Sequence, residues 1–284
     1  MITFDIRNNV LYGANYSGND ECLTIPSNVV RIVKLKIHHS IKKIIIPQSV
    51  KEIDIDAFSG GTNLIEICSC SDSFVTQNNC LFDLDKTTLY LVSRNIPPVF
   101  NIPCSVKKIC CYAFAYCTRL CEVSLDNKID YIGPYAFSEC SNLTNINLPS
   151  TYDMELNEGV FKGCSSLQRI VIPKNITSIG RCAFFDCWKL EDVKVESNRI
   201  SLVGFEAFAS CEELTRIDFL DGVITIEDGA FIACNKLTEI TLPKTVINLG
   251  LDLFRDDDHL TVISSSNQVI EYCKRYNIAY LIPR

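Results

Sequence analysis

Eight phenylalanines frame this chain. They stand at positions 58, 114, 137, 161, 184, 208, 231 and 254, and after a first gap of 56 residues the steps are 23, 24, 23, 24, 23 and 23. A fixed period of that length marks a repeat architecture, in which each unit is one coil that cannot bury its apolar side without a neighbour. The units share a grammar, as in "VFKGCSSLQRI", "AFFDCWKLEDV" and "AFIACNKLTEI". Six residues after every Phe stands a Leu: Leu64, Leu120, Leu143, Leu167, Leu190, Leu214, Leu237 and Leu260. Three residues further is Ile or Val, from Ile67 through Ile240 to Ile263, and two further again is usually apolar, as at Leu148, Ile172, Val195, Phe219 and Leu242. These sites nearly alternate, which fits a short strand with one buried face. Pro47, Pro149, Pro173 and Pro243 then close the strand, where a residue without a backbone donor does least harm to a ladder. A second apolar pair, V/I-x-x-I, often with Gly after it, follows in "ITSIGRCAF" and "VINLGLDLF".

Six cysteines recur three residues after the repeat Phe: Cys117, Cys140, Cys164, Cys187, Cys211 and Cys234. A Cys once per coil behaves as a small buried hydrophobe. Stacked coils lie about 4.8 Å apart, but in-register side chains point the same way and bridge poorly, so the thiols are expected reduced. The cluster "CSVKKICCYAFAYCTRLC" has one ladder member, Cys117; Cys104, Cys110, Cys111 and Cys121 fall on other sites of the coil and do not converge. Gly61 and Asp257 replace the ladder Cys in two units.

The remaining composition argues against chemistry and against polyanions. With 47% hydrophobic and 21% charged residues, 284 residues can bury a large core. The net charge of -7 comes with no run of basic residues longer than a pair, so no nucleic-acid footprint is visible. "MITFDIRNNVLYG" lacks a basic stretch followed by an apolar one, and no segment reaches about eighteen uninterrupted apolar residues, so no membrane span is expected and the segment itself points to the cytoplasm. His38, His39 and His259 have no partner at helical spacing, the cysteines lack paired C-x2-C spacing, and no Gly-rich phosphate loop is present. The expectation is therefore no enzyme, no catalytic residue, no cofactor and no metal.

The phrases "LQRIVIPKNITSIGRCAFFDC" and "LTEITLPKTVINLG" resemble the repeat of BspA-type leucine-rich repeat proteins, whose unit reads roughly L-x-x-I-x-I-P-x-x-V-x-x-I-G-x-x-A-F-x-x-C. The resemblance covers nearly the whole chain. It implies a repeat solenoid: a curved, right-handed leucine-rich repeat coil with a β-strand concave face, short helical or turn segments on the convex side and a capped C-terminus. One domain over 1–284 is expected, with about ten coils. Hairpin-like insertions are expected near 8–22 and 74–99, where "NNVLYG" and "NNCLFD" begin alike, and a cap over 260–284 with a helix near 267–276.

On the strand face the variable residues between buried Leu and Ile point outward, and a ligand is expected there: Glu66, Glu122, Ser124, Asn145, Asn147, Arg169, Val171, Asp192, Lys194, Arg216, Asp218, Glu239 and Thr241. The resemblance implies a non-enzymatic protein-protein interaction module, either a surface adhesion or ligand-binding protein whose partner is a host or matrix protein, or an intracellular scaffold or inhibitor whose partner is cytosolic. The first reading places the chain at the cell surface. The second suits many reduced thiols.

Overall fold

A computed structural model describes residues 1–257 and 259–283. The chain winds into a parallel-strand solenoid of about 11 turns. Among the described residues its single helix is the one at the C-terminal end, Asn267–Tyr276. The L-x-x-I-x-I stretches form the first wall as three sheets. Cys22–Thr24, Lys43–Ile46 and Glu66–Ser69 make the first; Val99–Asn101, Glu122–Ser124 and Asn145–Ile146 the second. The third runs from Arg169–Ile172 through Asp192–Val195, Arg216–Asp218, Glu239–Thr241 and Thr261–Ile263 to Ala279–Leu281. Parallel in-register pairing puts like residues above like: Ile170, Val193, Ile217, Ile240 and Val262 form one buried column. The last member differs from the repeat grammar, which points to Ile263. The final turn before this strand is one residue shorter, so Val262 pairs with Ile240 and is buried, while Ile263 is only half-buried.

The V/I-x-x-I pairs build a second wall of very short parallel strands, such as Leu202–Val203, Thr225–Ile226 and Asn248–Leu249. Between the walls runs the Phe column. The rings of Phe114, Phe137, Phe161, Phe184, Phe208, Phe231 and Phe254 stack with centroid separations of 4.9 to 5.7 Å. Their offset stacking adds to the area term that drives stacking of the coils. The convex segments around these rings are turns without helix, which settles the helical-or-turn expectation in favour of turns.

Two hairpins interrupt the winding. Ile2–Arg7 pairs antiparallel with Val10–Tyr16, and Phe74–Gln77 with Cys80–Asp83. The Asn8-Asn9 and Asn78-Asn79 pairs are the turns themselves, with φ of 50° and 62°, and 50° and 57°. Two-residue hairpin turns need positive φ at both positions, and Asn tolerates it best after Gly. Each hairpin thus begins upstream of its Asn pair, at Ile2 and Phe74. Thr88–Val92 adds a third antiparallel strand to the second one.

At the C-terminal end the helix seals the last coil with buried Val269 and Cys273. Ser266 caps its first turn by accepting from the Val269 N–H, and left-handed Asn277 ends it. The expected cap extends to Arg284, which lies outside the described residues.

Candidate functional site

Strand periodicity sets the outward face. With Ile170 and Ile172 buried, Arg169 and Val171 must point to solvent, and register carries the same choice to the next coils. Arg169 lies beside Asp192, Asp192 beside Arg216 and Arg216 beside Glu239, so the row alternates in sign. Val171 pairs with Lys194, and Asp218 with Thr241. Ten of the thirteen expected residues are exposed: Glu66, Glu122, Ser124, Asn145, Asn147, Arg169, Val171, Asp192, Lys194 and Arg216. Asp218, Glu239 and Thr241 are half-buried among their neighbours.

The face is not continuous. Glu66 stands on the first sheet, Glu122, Ser124 and Asn145 on the second, and the residues from Arg169 to Thr241 on the third. Asn147 is tied to the neighbouring coil. Its side-chain carbonyl accepts from the Leu125 N–H at 3.1 Å and its amide donates to the Leu125 carbonyl at 2.9 Å. It continues the ladder just past the end of strand Asn145–Ile146, so its polar atoms are engaged with backbone.

The third sheet carries a groove of roughly 630 Å³ lined by Arg169, Glu191, Asp192, Lys194, Glu213, Thr215, Arg216, Asp218, Leu220 and Lys236, over the apolar floor of Val193, Val195 and Ile217. Five of the expected residues meet there: Arg169, Asp192, Lys194, Arg216 and Asp218. All of the groove's charges but Asp192 are paired. Arg216 bonds Asp218 at 2.7 Å and also reaches Glu239, Lys236 holds Glu213 at 2.6 Å, Arg169 holds Glu191 at 3.4 Å, and Lys194 bonds Glu196. Burial raises the Asp218 carboxyl, but the bonds from Arg216 and Thr241 outweigh it and hold the group below its usual range. The bond to Glu196 raises the Lys194 ammonium in turn. Each pair is at least partly exposed and contributes little to stability, yet together they give the groove a nearly neutral, ordered surface.

Glu213, Lys236 and Leu220 were not among the expected residues. Glu213 and Lys236 occupy the position just before the repeat Leu, which varies from coil to coil as Arg119, Asn142, Ser166 and Lys189, and that variation was the signal available.

Several of the thiols are held protonated by their surroundings. Burial pushes Cys140, Cys164, Cys211 and Cys234 well up from their usual value. On the strand face Cys68 donates to Glu66 at 3.2 Å; partial burial, then that bond and the Glu66 charge, raise it too. A thiol held protonated is a poor attacking group at neutral pH. Among the described residues no cluster of three His, Cys, Asp or Glu side chains could hold a metal ion.

The family model of the BspA type leucine rich repeat region matches residues 15–97, 90–204 and 197–279, with six copies. The chain belongs to this family. Its fold is similar to that of a leucine-rich repeat protein from Eubacterium ventriosum ATCC 27560, at 23% identity and a TM-score of 0.60, covering 87% of this chain and 61% of that one. The chain thus spans less than two thirds of that protein's length. It is also similar to the T. pallidum Leucine Rich Repeat protein, at 26% identity and a TM-score of 0.56, covering 72% of this chain and 94% of the other. A comparison with curated proteins finds no match. Leucine-rich repeat proteins bind proteins. Among the described residues no helix is long and apolar enough to cross a membrane.

Proposed function

We propose that the chain binds its protein ligand along the third sheet of the strand face, between Arg169 and Thr241, and that it serves in attachment to a host or matrix protein at a cell surface. The groove on that sheet carries the reading, since it gathers five outward residues on backbone fixed by a parallel ladder. A surface held this rigidly loses little entropy when a ligand lands on it. A second reading rests on a separate observation: all sixteen cysteines are unbridged, and Cys22, Cys70 and Cys104 are exposed. Exposed free thiols suit a reducing compartment, where the same face would serve as an intracellular scaffold or inhibitor for a cytosolic partner.

The test is cross-linked capture with the purified protein, offered separately to extracellular-matrix proteins and to a cytosolic extract, beside the double variant Arg169→Glu, Arg216→Glu. The second substitution sets a carboxylate against Asp218 and Glu239, so the paired groove becomes strongly acidic. Matrix prey that the variant loses supports attachment, and cytosolic prey that it loses supports the scaffold. Prey retained equally by both proteins moves the site off this sheet.

A further inference from the structure

We propose that the chain has a second protein-binding site, separate from the strand face, in the groove between its last second-wall strand and its C-terminal helix. The occupant is an extended peptide segment that adds one strand to the second wall, with an aliphatic side chain at its centre and an acidic one near Arg275. Strand Asn248–Leu249 is the last of its sheet and pairs only with Thr225–Ile226. In earlier coils the carbonyls at the two equivalent positions accept from the next coil: Ile224 from Asn248, Ile226 from Gly250, and Val203 from Glu227. Their equivalents in the last coil are Ile247 and Leu249. The helix finishes the edge on either side of them, with Ser266 donating to the Val246 carbonyl at 2.7 Å and the Tyr272 hydroxyl accepting from the Leu253 N–H at 3.0 Å. Among the described residues no donor reaches the Ile247 or Leu249 carbonyl. Strand alternation aims the Leu249 N–H the same way. An unpaired backbone edge of this kind is what an incoming strand completes.

The same stretch lacks an apolar neighbour. Leu156, Ile179, Val203, Ile226 and Leu249 form one column through the second wall. The first four are at most 1% exposed, whereas Leu249 is only half-buried, because no further coil covers it. The surface beside the column changes with it. The residue ahead of each second-wall strand is polar in the middle coils, as at Lys107, Asp130 and Ser201, and apolar in the last two, where Ile224 is 43% and Ile247 54% exposed. Ile247, Leu249 and Tyr272 line a groove of roughly 380 Å³ whose far side is the helix stripe of Gln268, Glu271 and Arg275. That stripe runs for about 10 Å, the length of about three residues of extended chain. Glu271 is held by Lys274 at 3.1 Å, while exposed Arg275 has no carboxylate partner among the described residues. A carboxylate on the occupant therefore pairs with Arg275 without breaking an existing bond, and a cation there meets an unopposed charge.

The probe is a fluorescently labelled synthetic copy of residues 221–228, DGVITIED, a segment whose Ile226 already pairs with Leu249 inside the fold. Laid parallel on the open edge, it sets its Ile226 position against Leu249 and its acidic end toward the helix's last turn, which carries Arg275. Binding to the full chain is read by fluorescence anisotropy, and the state of the Leu249 amide by hydrogen–deuterium exchange. The peptide should bind with a Kd below about 1 mM and slow exchange at Leu249. Ile247→Glu and Arg275→Glu, both at exposed sites, should each weaken binding about tenfold while leaving the thermal melt near that of the parent. A peptide N-methylated at its Thr225 and Glu227 positions keeps every side chain and loses the two N–H groups aimed at Ile247 and Leu249, so it should fail to bind. Arg169→Glu, Arg216→Glu should leave the affinity unchanged, since those residues lie on the strand face. No binding at about 1 mM, equal binding of the methylated peptide, or indifference to Ile247→Glu overturns the inference. So does loss of binding with Arg169→Glu, Arg216→Glu alone, which would put the peptide on the strand face.

Discussion

From Cys140 to Cys234 the thiol of each ladder cysteine donates to the carbonyl oxygen of the Phe on the coil before it. Cys140 reaches Phe114, Cys164 Phe137, Cys187 Phe161, Cys211 Phe184 and Cys234 Phe208, all at 3.2 to 3.3 Å. That oxygen already accepts a backbone N–H, as Phe184 does from Cys187, so the thiol fills its second lone pair. The repeat made the burial of this site legible in the sequence, but the bond was not, since its acceptor lies 26 residues upstream. The site is therefore a small hydrophobe with one used polar atom. Cys187→Ala should cost about 1–2 kcal/mol at pH 7, from a lost weak bond and a small void. Its alkaline signature is sharper. Burial raises the Cys187 pKa above the ordinary 9.0, so the folded state holds the thiol proton longer than the unfolded one. The resulting stability is complete below pH 9 and declines as pH rises above it. Urea melts between pH 9 and 11 should show a decline that is flatter in Cys187→Ala by about 1.4 kcal/mol per pH unit. Equal slopes would show that the thiol ionises in the folded state.

Around each repeat Phe from Phe114 on, two residues take left-handed backbone, one two positions before and one two positions after: Tyr135 and Glu139, Gly159 and Gly163, Cys182 and Asp186, Glu206 and Ser210 among them. The alternation turns every other N–H group toward the next coil. Tyr135 donates to Glu158, Phe137 to Val160 and Glu139 to Lys162. A helix would have aimed those donors along its own axis, leaving the coil-to-coil ladder unmade, so stacking selects turns over helix. Nothing in Tyr, Cys or Glu announces positive φ, which is why this wall was only partly legible, whereas the Asn pairs of the hairpins were plain. Gly159 has a further reason to be glycine: a Cβ there would meet the Tyr135 ring at 2.3 Å. Gly229 holds the same left-handed place with ordinary room, its closest neighbour being Glu206 at 3.5 Å. Gly229→Ala should therefore cost about 1 kcal/mol from backbone strain, and Gly159→Ala about 2–3. Adding Tyr135→Ala to Gly159→Ala should recover much of the difference, giving a non-additive cycle in thermal melts. Equal costs for the two glycines would remove the ring from the argument.

At the scale of the whole molecule the core divides in two. One apolar cluster runs from Leu11 to Leu91, the other from Cys80 to Cys273, and the strands Cys80–Asp83 and Thr88–Val92 stand between them. Leu81 and Leu91 face the first cluster, while Cys80, Phe82, Leu89 and Val92 face the second. The 56-residue gap in the Phe period marked this region, but not what joins it. Arg94, only 7% exposed, donates to the carbonyls of Gly60 and Gly61 at 3.1 Å and of Val92 at 2.7 Å, with the Cys117 sulfur at 3.6 Å. Gly61 sits where the coil would carry its ladder cysteine, so the guanidinium completes a coil that the repeat leaves short. Because Arg94 lies in an insertion, no repeat register could have singled it out. Arg94→Met keeps much of the volume and removes every donor, leaving carbonyls on both sides of the joint without that partner. The cost should be about 2–4 kcal/mol. It should fall unevenly. Amides of strands Lys43–Ile46 and Glu66–Ser69 should exchange faster with deuterium, those of Asp192–Val195 and Arg216–Asp218 should hold their rates, and one thermal transition should separate into two. Uniformly faster exchange with a single transition would mean that the hairpin strands alone couple the two cores and that the whole solenoid unfolds as one body.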